Sequence, residues 1–186
     1  MSRQLAKRWI TVDEYEHMGE AGIFRPDDRL ELLEGEIYKM SPIGPPHAAC
    51  VDFLTSFLSG LTGHRFIVRV QNPVRLDDHS EPQPDVALVR WRDDFYRNAH
   101  PTPTDVLLVV EVSDTTAESD RSYKIPLYAG AGIPEAWLVN IPAARIEVYA
   151  EPVAGEYKAV SFYQRGEEVK SHTFANLSFS VNDMLG

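Results

Sequence analysis

The sequence predicts an α/β (α+β) fold, a mixed central β-sheet flanked by helices, on three observations. Val51, Leu54, Leu58 and Leu61 recur at helical spacing, and Phe53 and Phe57 widen the stripe. Runs of strand-forming residues follow at 65–71, 74–76, 85–90 and 105–112, with another at 135–140. Between the last two stands SDRSYKIPLYAGAG, 119–132, which is helical in character. Helix, antiparallel strands, helix and strand in that order describe a layered sandwich around a mixed sheet.

Each element has a local reason. Thr11 with Glu14 three residues on forms a capping box for a short first helix, which Gly19 and Gly22 stop. In RLELLEGEIYKMSP, two alternating runs flank Glu34-Gly35, a hairpin by its turn chemistry. The striped helix starts near His47, after a Pro pair, and Thr62-Gly63 ends it. A polar, proline-containing loop covers 91–104. Pro126 lacks an amide donor, so the helix around it is kinked or has Pro126 in its first turn. RIEVYA and EYKAVSFYQ make an antiparallel finish.

At 186 residues the chain is expected to form one domain, 1–186, large enough to bury close to ~70% of its unfolded surface. The one cysteine, Cys50, excludes an intramolecular disulfide, sits among apolar residues and belongs to no CxxC pair. The start lacks the apolar core of a signal peptide, and no run approaches the ~18 apolar residues of a membrane span, so a cytoplasmic location is expected. A formal net charge of -10 argues against coating nucleic acid through a broad basic face. It leaves open an enzyme whose acidic cluster holds a divalent metal.

The apolar run Val106–Val110 ends on a carboxylate, Glu111, although burying an unpaired charge is costly. Asp85 opens the preceding strand. If the two strands are antiparallel neighbours, both carboxylates meet at one edge of the sheet and repel, unless a hard cation lies between them. Mg2+ (or Mn2+) suits such a pair, because it takes one or two carboxylates and leaves other positions to water and phosphate oxygens. Lys124 follows Glu111 by thirteen residues. An ammonium there would orient an attacking water and offset the charge that builds on a phosphate.

Through these segments, and through HAACVDFL, VQNPVRLDDHSEPQPDVALV, LLVVEVSDTT and DRSYKIPLYAGAGIPEAWLVN, the chain resembles the Uma-two family of restriction endonuclease-like proteins. That family, known mainly from bacteria, belongs to the PD-(D/E)XK nuclease superfamily. The resemblance implies a restriction endonuclease-like core, a DNA substrate and an active site of Glu31, Asp85, Glu111 and Lys124. Asp85 and Glu111 would hold the metal with the backbone carbonyl of Val112, and Glu31 would join directly or through water. The chain departs from the superfamily pattern at Ser113, where the lysine usually stands; Lys124 reads as that lysine, migrated.

Plainer readings stand beside these. Asp85 also suits a pair with Arg90 or Arg75, Glu111 a structural pair with Lys124, and Glu31 a solvent-facing strand position with Glu34 or Glu36 as the ligand. His47 suits a contact to phosphate, the orientation of Glu31, or a local hydrogen bond. Gln71 suits an approach to the site or an edge hydrogen bond, and Trp91 and Tyr96 suit base stacking or packing. Histidines 64, 79, 100 and 172 are scattered. Two functions are therefore carried forward: a metal-dependent endonuclease acting on DNA, expected as a homodimer, and a catalytically degenerate nuclease fold that serves as a DNA-binding or assembly module.

Overall fold

In a computed structural model of the chain, residues 6–63 and 65–185 are described. His64 and the termini of the expected 1–186 domain lie outside them.

The first helix, α1 (Val12–Glu20), carries the expected capping box: the Glu14 amide donates to Thr11 Oγ1 and the Thr11 amide to the Glu14 carboxylate. Strands β1 (Leu30–Leu33) and β2 (Glu36–Lys39) form the expected hairpin. Its turn residues Glu34 and Gly35 have φ of 49° and 76°. Positive φ at both central residues gives the twist that a two-residue hairpin needs. Position 35 also requires glycine for space, because a Cβ there would lie 2.7 Å from that of Trp9.

Helix α2 (Pro45–Ser59) begins with two prolines whose missing amides fall where a helix leaves them unpaired. The central sheet follows. Its strands are β3 (Phe66–Val70), β4 (Val86–Arg90), β5 (Val106–Ser113), β6 (Glu135–Asn140), β7 (Arg145–Val153) and β8 (Glu156–Gln164), hydrogen-bonded in that order. All neighbours are antiparallel except β5 and β6, which are parallel, so the sheet is mixed as the sequence predicts.

A parallel pair needs a crossover, and the helical segment 117–130, α3, supplies it. Within α3 the Ile125 amide donates to the Asp120 carbonyl five residues back, a π-turn spanning Asp120–Lys124. The turn ends where Pro126 enters, in the first turn of the helical stretch Ile125–Gly130. The missing proline amide is thus accommodated without a break.

Two cores form on the two faces of the sheet. Val86, Leu88, Leu108, Val110 and Val112 face α2, and Leu54, Leu58, Trp137 and Phe179 complete that layer. Ala87, Val89, Val109, Ala136 and Leu138 face the other way, against Ile125, Tyr128 and Ile133. Cys50 is buried in the first layer, as expected.

The expected strand 74–76 does not form. The arms of its loop are tied by Val74 N–H to Pro82 C=O (3.0 Å) and Leu76 N–H to Ser80 C=O (2.9 Å). Prolines at 73, 82 and 84 remove the donors needed to extend a ladder. The sequence reading did not foresee the hairpin of β9 (Glu168–Lys170) with β10 (Ser178–Ser180), nor the closing helix α4 (Val181–Leu185).

Candidate active site

Glu111 answers the question that its position raises. In β5, Val110 and Val112 face α2, so the side chain between them faces α3. There Tyr128 Oη donates to Glu111 Oε1 at 2.5 Å, and Lys124 Nζ stands 3.3 Å from Oε2. The apolar run ends on a charge because α3 brings a phenol and an ammonium to meet it.

Asp85 lies one residue before β4, which runs antiparallel to β5 with Val86 opposite Val110. That register brings it beside the end of β5, where Asp85 Oδ2 accepts from the Val112 amide at 2.9 Å. Oδ2 also meets His47 Nε2 at 3.0 Å, and Oδ1 accepts from Gln71 Nε2 at 3.2 Å. Glu31, in β1, reaches Lys124 Nζ at 3.0 Å and accepts from the Gln83 amide. One ammonium therefore bridges two carboxylates, and Glu31, Asp85, Glu111 and Lys124 are 5%, 5%, 3% and 7% exposed.

All four line one cleft of about 310 Å³. Arg29 and Lys39 contribute cationic side chains to its wall, and Tyr38 and Tyr123 contribute exposed aromatic ones. Of the alternatives to Glu31, Glu34 sits exposed in the hairpin turn and Glu36 pairs with Lys7. Arg75 pairs with Asp13 and Asp78, and Arg90 with the Thr104 carbonyl, so neither is Asp85's partner. His47 Nε2 meets Asp85, not Glu31. Tyr96 packs in the second core.

Electrostatics in the cleft are dominated by burial. Burial pushes the Glu111 carboxyl well above its ordinary pKa despite Lys124, and Asp85, Asp120 and Glu31 push the same way. Burial also disfavours the Lys124 ammonium, but Glu111, Glu31 and Asp120 outweigh it and hold its pKa well above the ordinary value. Lys124 is thus cationic, beside a Glu111 carboxyl that takes up a proton more readily than a solvated one. Burial raises Asp85 too, yet the hydrogen bonds from His47, Val112 and Gln71 win and keep it below its usual value.

Ser113 Oγ donates to Asp120 Oδ2 at 2.5 Å, and Thr116 Oγ1 donates to the same oxygen at 2.7 Å. Asp120 opens the π-turn that ends at Lys124, so the serine at the usual lysine position anchors the element that carries the lysine. Sequence reasoning missed Tyr128. Its signal was the spacing of four from Lys124, which puts both on one helix face.

A mixed sheet with carboxylates at one edge and a lysine beside them is the frame of a restriction endonuclease-like protein. The chain belongs to the Uma2 family, described as "Putative restriction endonuclease", whose sequence profile matches residues 12–182. A crystal structure from Anabaena variabilis, described as "a putative nuclease belonging to DUF820", shares the fold at TM-score 0.70 and 18% identity, over 95% of this chain and 97% of that one. No curated protein matches the chain. Among the described residues, no helix is long and apolar enough to cross a membrane.

Proposed function

We propose that the protein is a metal-dependent endonuclease that hydrolyses DNA phosphodiester bonds, with Glu31, Asp85, Glu111 and Lys124 as its site. The observation that carries this reading is one cleft lined by three buried carboxylates, Glu31, Asp85 and Glu111, with a buried ammonium, Lys124, that bridges Glu31 and Glu111. Three carboxylates exceed one lysine in charge, and the excess suits a cation. The donors are oxygens with no thiol among them, which fits Mg2+ or Mn2+. Asp85 and Glu111 would hold it, with Glu31. The Val112 carbonyl would assist, since in an extended strand it leaves the same edge as the amide that bonds Asp85.

When bound, a divalent ion supplies Lewis-acid polarisation of a phosphate oxygen. The chain's own residues do the rest. Lys124 offers the fixed positive charge that offsets charge building on the phosphate, and orients a water for attack. His47, Gln71 and the Val112 amide hold the Asp85 carboxylate in place and ionised. Tyr128 fixes one oxygen of Glu111 and leaves the other towards Lys124. Arg29 and Lys39 would meet backbone phosphates, and Tyr38 and Tyr123 offer faces on which bases stack. Pairing of two copies would set two such clefts on one duplex.

The second reading, a degenerate fold serving as a binding or assembly module, draws on the same triad. Lys124 already satisfies Glu31 and Glu111, as a purely structural ion pair would. Calorimetric titration with Mg2+ and Mn2+ separates the two. The nuclease reading predicts saturable binding that Asp85→Asn abolishes, and the module predicts none.

A further inference from the structure

We propose a second, separate metal site, formed by Glu16, Glu81 and His100 and selective for a divalent transition ion such as Zn2+. Ligand atoms from these three side chains all lie within 4.8 Å of one another. None of the three lines the cleft described above.

The residues come from three segments: Glu16 from α1, Glu81 from the loop between β3 and β4, and His100 from the loop 91–104. Backbone bonds already tie these segments to one another and the Glu81 loop to β1. The Val12 amide donates to the Asp78 carbonyl at 2.8 Å, the Arg75 amide to the Pro101 carbonyl at 2.9 Å, and the Glu81 amide to the Leu32 carbonyl at 2.7 Å. The backbone is thus fixed near each ligand, and only side chains need to move.

The decisive observation is Glu81 itself. It is 3% exposed, and its Oε2 is buried with no hydrogen-bond partner. A carboxylate oxygen held away from water with no donor costs free energy that evolution rarely leaves uncompensated. Its neighbours Glu16 and His100 offer no fixed donor to Oε2, whereas a cation between the three would satisfy it.

The donor set selects the metal. Magnesium and calcium take oxygen ligands, while an imidazole nitrogen with two carboxylates suits zinc and its neighbours, with water completing the shell. Around a tetrahedral ion with ~2.0–2.1 Å arms, ligand atoms stand about 3.3 Å apart. Closing the present spacing, within 4.8 Å, to that asks for small side-chain rotations, and Glu16 is exposed and unhindered by burial. Arg69 near His100 and Arg75 near Glu81 add opposing positive charge, but Arg75 is engaged by Asp13 and Asp78. Such an ion would clamp α1 and the loop 91–104 onto the segment that leads into Asp85.

The test is calorimetric zinc titration of the full chain and of His100→Gln, Glu81→Gln and Glu16→Gln, with circular dichroism as a check of folding. The proposal expects each variant to lose one zinc equivalent or to weaken it by at least about tenfold, a loss on the scale seen on disturbing metal-site partners. Magnesium binding should be the same in all four proteins. Glu16→Gln changes an exposed side chain, so it keeps the test decisive if a buried substitution fails to fold. Zinc binding that is absent from the wild type, or equal in the wild type and Glu16→Gln, would overturn the proposal.

Discussion

Replacing Lys124 by methionine keeps the aliphatic stem and removes the ammonium that bridges Glu31 and Glu111 at 3.0 and 3.3 Å. Breaking a buried pair by deleting one partner costs roughly 3–5 kcal/mol. Here the raised pKa of Glu111 lets it take up a proton once the lysine is gone, which brings the cost to the lower end, about 3 kcal/mol. For a chain of this size each kcal/mol moves Tm by roughly 2–4 °C, so Tm should fall by about 6–12 °C without divalent ions. Magnesium at a hundredfold excess over its Kd returns about 2.7 kcal/mol, because the ion replaces the missing charge. The wild type should gain less, since Lys124 competes with the ion. Cleavage should fall by a factor on the order of 10²–10³, the usual cost of one transition-state donor. Thermal melts with and without magnesium, paired with cleavage rates, read all of this. A drop in Tm that magnesium does not reduce, together with an unchanged cleavage rate, would refute the reasoning.

Asp85→Asn keeps an oxygen acceptor for the Val112 amide and so should fold, while calorimetry finds its magnesium affinity lost. Asp85→Ala should in addition lower stability by about 1–3 kcal/mol in denaturant titrations, because it strands that buried amide. Glu147 predicts a pH dependence. Burial pushes its carboxyl up, but Arg121, Tyr149 and Arg145 outweigh this and bring its pKa from the ordinary 4.5 down to about 2. A depressed folded pKa stabilises above the unfolded value, so this contribution of about 3 kcal/mol is present above pH 4.5 and fades as pH falls towards 2. Glu147→Gln should flatten stability between those pH values, and an unchanged slope would contradict the assignment. Pairing of two copies through the free edge of β8, where Val160 and Phe162 are exposed, predicts twice the 21.0 kDa chain mass by light scattering; monomer throughout the micromolar range would exclude it.

The layered fold was legible because periodicity is local: the stripe from Val51 to Leu61 and the runs at 85–90 and 105–112 each need one face or two to be buried. The meeting of Asp85 and Glu111 was legible for a related reason, since charges at the start of one strand and the end of the next become neighbours if the strands are antiparallel. The choice among Glu31, Glu34 and Glu36 was not, because all three occupy one hairpin and only packing against the sheet shows which is buried. The segment 74–76 alternates like a strand, and its proline neighbours outweigh the pattern. The strands at 168–170 and 178–180 are three residues each, too short to carry a period. Tyr128 packs in the second core. Its second role, a hydroxyl against Glu111, depends on the rotation that the π-turn imposes on α3.

The central claim, that this cleft cuts DNA with a divalent metal, is tested most directly by incubating supercoiled plasmid with the protein and Mg2+ or Mn2+, beside Glu111→Gln and a chelator control. The account predicts nicked or linear DNA with the wild type and metal alone, and none with Glu111→Gln or chelator. Intact plasmid under both metals, or equal cleavage by Glu111→Gln, would contradict it.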